Sequence, residues 1–257
     1  MIAVSIRGAV RHTTEVDSNL YPDLAAAGSL AAALEQAAAG LGVDLVTVPG
    51  DWGVPVSARI AASVPDREPL SVHIGAESRW FGVSGRSRGV ELITGGTPDL
   101  DDVVRAGVAW GEGRTLRELQ ELQPFLQFSE LAEAHERGPA AAVETQWCLM
   151  RRQAADAPDF PQFGLLVEAA HAEPRLRQLY PFSSHWTLGF NTHTGIPCLP
   201  EVAIVPSYED RPYRVQKFPH GGVIAEAATA EEAAALAVAH LPAGLGPAVA
   251  GTSEPVG

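Results

Sequence analysis

Leu179-Tyr180-Pro181-Phe182-Ser183-Ser184-His185-Trp186-Thr187-Leu188-Gly189-Phe190-Asn191 gathers imidazole, hydroxyl and indole groups in a chain otherwise rich in Ala, Val, Leu and Gly. Imidazole is the side chain best matched to proton transfer near neutral pH, so His185 is the candidate general base or donor. Ser184 is its hydroxyl neighbour, and His193 is a second imidazole that a turn over 191–195 could bring to it. Trp186 would form a wall, and Thr187 and Asn191 would supply hydrogen bonds to a substrate. The same residues have a purely structural reading. As an extended strand, His185–Asn191 buries Trp186, Leu188 and Phe190 and turns His185, Thr187 and Asn191 to the other face. Arg79-Trp80 repeats the basic-aromatic pair of His185-Trp186, so it is a parallel candidate for substrate binding.

Other chemistries fail on context. Gly85-Arg86-Ser87-Arg88-Gly89 spells the nucleophile elbow G-x-S-x-G, but that motif needs a helix directly after it. Val90-Glu91-Leu92-Ile93-Thr94 reads as a strand, so the glycines belong to a hairpin turn. No His-x-x-x-His pair or cysteine pair suggests a metal, and His135-Glu136 reads as part of a solvated helix face. Gly111-Glu112-Gly113 and Gly244-Leu245-Gly246 lack the third glycine of the dinucleotide fingerprint, and no P-loop spelling occurs. No cofactor is expected. Cys148 and Cys198 sit among apolar or Pro neighbours and read as two buried thiols.

At 257 residues and 46% hydrophobic content the chain can bury a core as one large domain or two small ones. A net charge of -13 disfavours nucleic acid and anionic membranes as partners. The N-terminus Met1-Ile2-Ala3-Val4-Ser5-Ile6-Arg7 has no signal-peptide character, and no apolar run is long enough for a membrane helix. A cytoplasmic location is expected.

The elements that would position these residues are of two kinds. A helix is expected from Ser29, as cap, to Gly40 or Gly42. Short strands follow at Val43–Val48, Ser57–Val64, Leu70–Gly75, Ser78–Val83 and Val90–Thr94, joined closely enough for an antiparallel sheet. Thr97 is the expected cap of a helix over Pro98–Trp110. Thr115–Gln120, Ser129–Arg137 and Ala140–Ala154 continue as helices, the last with Val143, Trp147 and Met150 or Arg151 at helical spacing. Ala154–Phe163, broken by Pro and Asp, is the expected boundary between a region over 1–155 and a second over 162–257. A short helix over Gly164–Ala172 leads to strands at His185–Asn191, Val202–Val205, Tyr213–Phe218 and Gly222–Ala227. A last helix opens with a Thr229–Glu232 capping box. The fold class is therefore α+β: antiparallel sheets with packed helices, arranged as two related strand-strand-helix units joined by a helical block. The relation would rest on Ser78-Arg79-Trp80 matching Ser184-His185-Trp186, and on Gly89-Val90…Thr97 matching Gly222-Val223…Thr229.

The segment Tyr180–Leu188, followed by Thr194-Gly195, Tyr213-Arg214-Val215, Thr229-Ala230-Glu231-Glu232-Ala233 and Gly246–Thr252, resembles an actinobacterial domain-of-unknown-function family of natural-product biosynthesis proteins. Arg117-Glu118-Leu119, Pro124-Phe125 and Ala132–Gly138 resemble its middle, so the likeness spans residues 70 to 252. It implies a context in specialised metabolism and no particular reaction. Two functions are open at this point. One is a tailoring enzyme or obligate accessory protein, maturing a ribosomally made peptide, with a small peptide or natural-product intermediate and another cluster enzyme as partners. The other is a non-catalytic peptide- or protein-binding adaptor or immunity-like protein.

Overall fold

The computed structural model describes residues 15–196, 200–209, 211–217 and 221–252. Met1–Arg7, Cys198 and Phe218 lie outside them. The chain divides between Glu136 and Arg137 into two units, each with its own buried apolar cluster. The architecture is α+β, with two antiparallel sheets and packed helices.

In the N-terminal unit, α1 (Pro22–Ala27) ends at Gly28 in left-handed backbone, φ 86°. Ser29 caps α2 (Leu30–Leu41), its Oγ accepting from Ala32 N at 3.1 Å, and Gly42 rather than Gly40 closes the helix. Strands β1 (Thr47–Pro49), β2 (Ser57–Ile60), β3 (Leu70–Ile74), β4 (Phe81–Ser87), β5 (Val90–Thr97) and β6 (Leu126–Gln127) pair antiparallel in that order. Ala58, Ile60, Val72, Ile74, Phe81 and Val83 are buried, in the alternation expected for a sheet covered on one face. The cover comes from α2 and α3 (Leu100–Gly111). A Cβ on Gly107 of α3 would lie 2.5 Å from Ile60 Cδ1, so glycine sets how closely that helix approaches the sheet.

Two sequence expectations change here. Asp99, not Thr97, caps α3, its carboxylate accepting from Asp101 N at 2.9 Å. Thr97 is paired with Phe81 as the last residue of β5, and its hydroxyl accepts from Asp99 N instead. The Gly85–Gly89 segment is the hairpin expected: Arg88 (φ 49°) and Gly89 (φ 78°) form a two-residue turn, and Ser87 donates to Asp66 O. After α4 (Leu116–Leu122), held by a Thr115–Glu118 capping box, α5 (Glu130–Arg137) leaves Glu136 exposed, as its charge-rich face implies, but not His135. The His135 ring is largely buried, and burial pushes its pKa down to about 4. Glu136 accepts from Leu116 N at 3.1 Å, tying α5 to the start of α4.

The C-terminal unit begins with α6 (Pro139–Ala155), α7 (Pro161–Ala172) and α8 (Pro174–Arg177). Each has proline in its first turn, where the missing N–H costs nothing. The Ala154–Phe163 segment joins α6 to α7 within this unit. The strands β7 (Tyr180–Ser184), β8 (Thr187–Asn191), β9 (Val202–Val205), β10 (Tyr213–Lys217) and β11 (Val223–Ala227) form a second meander, with β7 and β11 at its edges. Leu188, Phe190, Val202, Ile204 and Val215 pack in one cluster with α6, α7 and α9 (Ala230–Ala239). Thr229 caps α9, but Glu232 reaches Ala228 N at 2.9 Å, one residue beyond the position a capping box requires.

Both units contain a hairpin followed by a helix, β4-β5-α3 and β10-β11-α9. The tryptophan turns do not occupy matching places in them. Trp80 stands two strands ahead of its helix, whereas Trp186 stands four strands ahead of α9.

Candidate functional site

His185 and Trp186 are not part of a strand. Ser184 pairs with Thr187, and the two residues between them take left-handed backbone, φ 49° and 64°, as a two-residue hairpin turn. Such a turn favours Asn-Gly, and each side-chain-bearing residue in it costs about 1–2 kcal/mol. Aromatic docking offsets the strain: the Trp186 ring meets Phe163 edge-on at 5.2 Å and Phe160 at 5.6 Å. The alternation expected for His185–Asn191 therefore begins only at Thr187. Leu188 and Phe190 are core, Thr187 is half-buried, and Trp186 is 39% exposed.

Of the polar groups expected to meet, Ser184 and His185 do, and His193 does not join them. Ser184 Oγ and His185 Nδ1 are 3.2 Å apart on the exposed turn. Among the described residues no third group orients that imidazole, as an activated nucleophile would need. His193 contacts Thr192 Oγ1 at 3.0 Å and lies past the opposite end of β8, whose five residues span roughly 16 Å. Asn191, expected on an outer face, is fully buried, and among the described residues its amide has no hydrogen-bond partner.

Arg79 and Trp80 belong to the N-terminal unit and have structural duties there. Arg79 Nη1 and Nη2 donate to the two Asp23 oxygens at 2.8 and 2.7 Å, and Nε donates to Pro98 O at 3.0 Å. Its guanidinium also lies 5.0 Å over the Phe81 ring. The hydrogen bond from Arg79 holds the Asp23 carboxyl below its usual range. The Tyr21 hydroxyl donates toward Gly75 O at 2.8 Å and accepts from Trp80 N at 3.0 Å, fastening the same turn. Trp80 lies against Gly96 so closely that any Cβ there would strike its ring.

Unspent polar chemistry instead collects on α6. Glu144, Trp147, Cys148 and Arg151 fall at i, i+3, i+4 and i+7, one face of the helix. This face lines an open cleft of about 660 Å³ together with Pro139, Ala140 and Val143, His171 from α7, Arg177 and Gln178, and Pro247-Ala248. Trp147 forms its floor. The indole N–H donates to Arg177 O at 3.0 Å, and the ring meets His171 at 5.3 Å and Phe190 at 6.2 Å. The Pro247-Ala248 wall is tied in by Ala248 N donating to Gln178 O at 3.0 Å.

The charges of the cleft differ in how far they are satisfied. Arg151 forks onto Glu168 at 2.6 and 2.9 Å. Glu144 and Arg177 are exposed, and no hydrogen bond or ion pair joins either side chain to a described residue. Partial burial, with Arg151 and Arg177 adding to it, pushes the His171 pKa below its usual value, so the ring is neutral at physiological pH. Cys148 is exposed, not buried as its neighbours suggested. Among the described residues no three His, Cys, Asp or Glu side chains converge to hold a metal, and no described helix is long and apolar enough to cross a membrane.

The sequence signal for this face lies in α6, where Val143, Trp147 and Met150 or Arg151 recur at helical spacing. The contributions of His171, Arg177 and Ala248 depend on tertiary packing. No curated protein and no solved structure matches the chain. Residues 141–252, which carry the cleft apart from its Pro139-Ala140 lip, match DUF6193, a family of unknown function.

Proposed function

We propose that the protein binds a small peptide or peptide-derived intermediate in the α6 cleft, as an accessory or tailoring protein of bacterial natural-product biosynthesis. The cleft carries the reading: its volume, its aromatic floor and its few unpaired polar groups are those of a ligand site. The biosynthetic context rests on the resemblance of residues 70 to 252 to actinobacterial natural-product proteins. The reading is one of binding: it rests on the cleft's shape and unpaired side chains and assigns no reaction.

Equilibrium dialysis against a mixture of tripeptides, with mass-spectrometric readout, tests the proposal. The native protein should retain a subset, and Ala140→Trp, which fills the lip from an exposed position, should lose it. Retention of no tripeptide, or equal retention by both proteins, overturns the cleft as the site.

A specific observation favours a second reading, an adaptor that takes a partner by strand addition. Edge strand β11 exposes Val223 (45%) and Ile224 (39%) beside unpaired backbone groups. Peptide held there would be lost with Ile224→Pro and kept with Ala140→Trp, so the same dialysis separates the two.

A further inference from the structure

We infer that the α6 cleft selects a zwitterion: a short peptide with both termini free and an apolar or aromatic body, its carboxylate on Arg177 and its ammonium on Glu144. This deepens the binding reading above and rests on it.

The inference starts from opposite charges that line one cleft without neutralising each other. Glu144 and Arg177 both line it, yet no ion pair or hydrogen bond joins their side chains to one another or to any other described residue. The contrast with Arg151 is informative. That guanidinium lies on the same helix face and is already forked onto Glu168. A ligand carboxylate would have to displace Glu168 to engage Arg151, whereas Arg177 has its fork of donors open.

Trp147 fixes how the two charges are arranged. Glu144 is one helical turn before Trp147, about 4.5 Å along α6. The Trp147 indole N–H donates to the Arg177 backbone carbonyl at 3.0 Å, so Arg177 also borders that ring. Glu144 and Arg177 therefore both border an aromatic floor that continues into Val143, Pro247 and Ala248. An extended tripeptide is about 10 Å long, a length that a cleft of about 660 Å³ accommodates. His171, neutral between Arg151 and Arg177, adds no positive charge to compete with a ligand ammonium.

Long-range electrostatics agree with this choice. With a net charge of -13 the whole chain repels anions, so a purely anionic ligand meets an unfavourable field on approach. A zwitterion has no net charge and meets no such barrier. It is then oriented locally by the two unpaired groups.

The test uses the full chain and three forms of the tripeptide mixture: free, C-terminally amidated and N-terminally acetylated. Amidation should weaken retention by the native protein by at least about tenfold, and so should acetylation, since each removes one charge-assisted contact. Arg177→Gln should bind the free form as weakly as the native protein binds the amide, with no further loss on amidation. Glu144→Gln should behave in the same way toward acetylation. Both positions are exposed, so circular dichroism of the variants should superimpose on that of the native protein. If blocked and free peptides are retained alike and Ala140→Trp still abolishes retention, the cleft binds peptides but the zwitterion assignment is wrong. If no form is retained, the binding reading fails and takes this inference with it.

Discussion

The turn at Arg79 and the cleft on α6 each present arginine beside tryptophan, but only one spends its arginine inside the fold. Arg79 is shared among Asp23, Pro98 and the Phe81 ring, so its charge and planar donors are consumed in holding α1 to the β3–β4 turn. Arg177 contributes its backbone to the structure, the N–H to Glu173 and the carbonyl to Trp147, and leaves its guanidinium unengaged among the described residues. Residue type and sequence neighbourhood made Arg79 the candidate. Hydrogen-bond accounting sets the two arginines apart, because a polar group already satisfied internally has little left to offer a ligand.

The comparison can be broken from either side. The largest expected effect is on the cleft floor. Trp147→Ala should destabilise the C-terminal unit by about 3–5 kcal/mol, since it empties a buried site and removes the bond to Arg177, and chemical denaturation would measure it. The N-terminal unit should in turn show an acid weakness at His135. His135 has its pKa lowered to about 4 by burial, so the unfolded chain takes up the proton first. Stability from this group should be complete above about pH 6.5, fall as the pH drops toward 4, and level off below it. The loss should total about 2–3 kcal/mol after a discount for partial exposure, and His135→Gln should flatten that part of the profile.

Arg79→Ala should cost about 2 kcal/mol, because Asp23 and the Pro98 carbonyl lose their donor together. A cost within about 0.5 kcal/mol would place Arg79 among ordinary surface residues and remove the contrast. His185→Gly should stabilise the hairpin by about 1 kcal/mol by relieving left-handed strain, with the thermal midpoint as readout. The smallest effect belongs to Arg177→Gln, expected to leave stability within about 0.5 kcal/mol while ligand retention falls.

Element type was largely legible in the sequence. Helix α2 followed its Ser29 cap and a glycine stop, and the short alternating runs of the N-terminal unit formed the antiparallel sheet their turns implied. β6 was not legible, because its two residues are strand only through pairing with Thr94 and Gly95. The His185-Trp186 turn was hidden for a different reason. Neither residue favours left-handed backbone, so nothing local signals the reversal, and the Trp186 contacts that stabilise it come from Phe160 and Phe163, far back in the chain. Reading through that turn as strand placed Trp186 in the core and Asn191 outside. Cys148 was misjudged from linear neighbours, although on a helix its surroundings are residues three and four away, among them Glu144 and Arg151. The cleft as a whole needed the fold, since α6, α7, α8 and the segment after α9 each supply a part.

The most direct test of the central claim is the Trp147 indole N–H resonance, followed by nitrogen-edited NMR while the tripeptide mixture is titrated into the full chain. This proton reports on the cleft floor and on its bond to Arg177. The account predicts a saturable shift of that resonance, absent in Ala140→Trp, while the indole signals of Trp52 and Trp80 stay in place. A Trp147 signal that does not move at any peptide concentration, or that moves equally in Ala140→Trp, would contradict it.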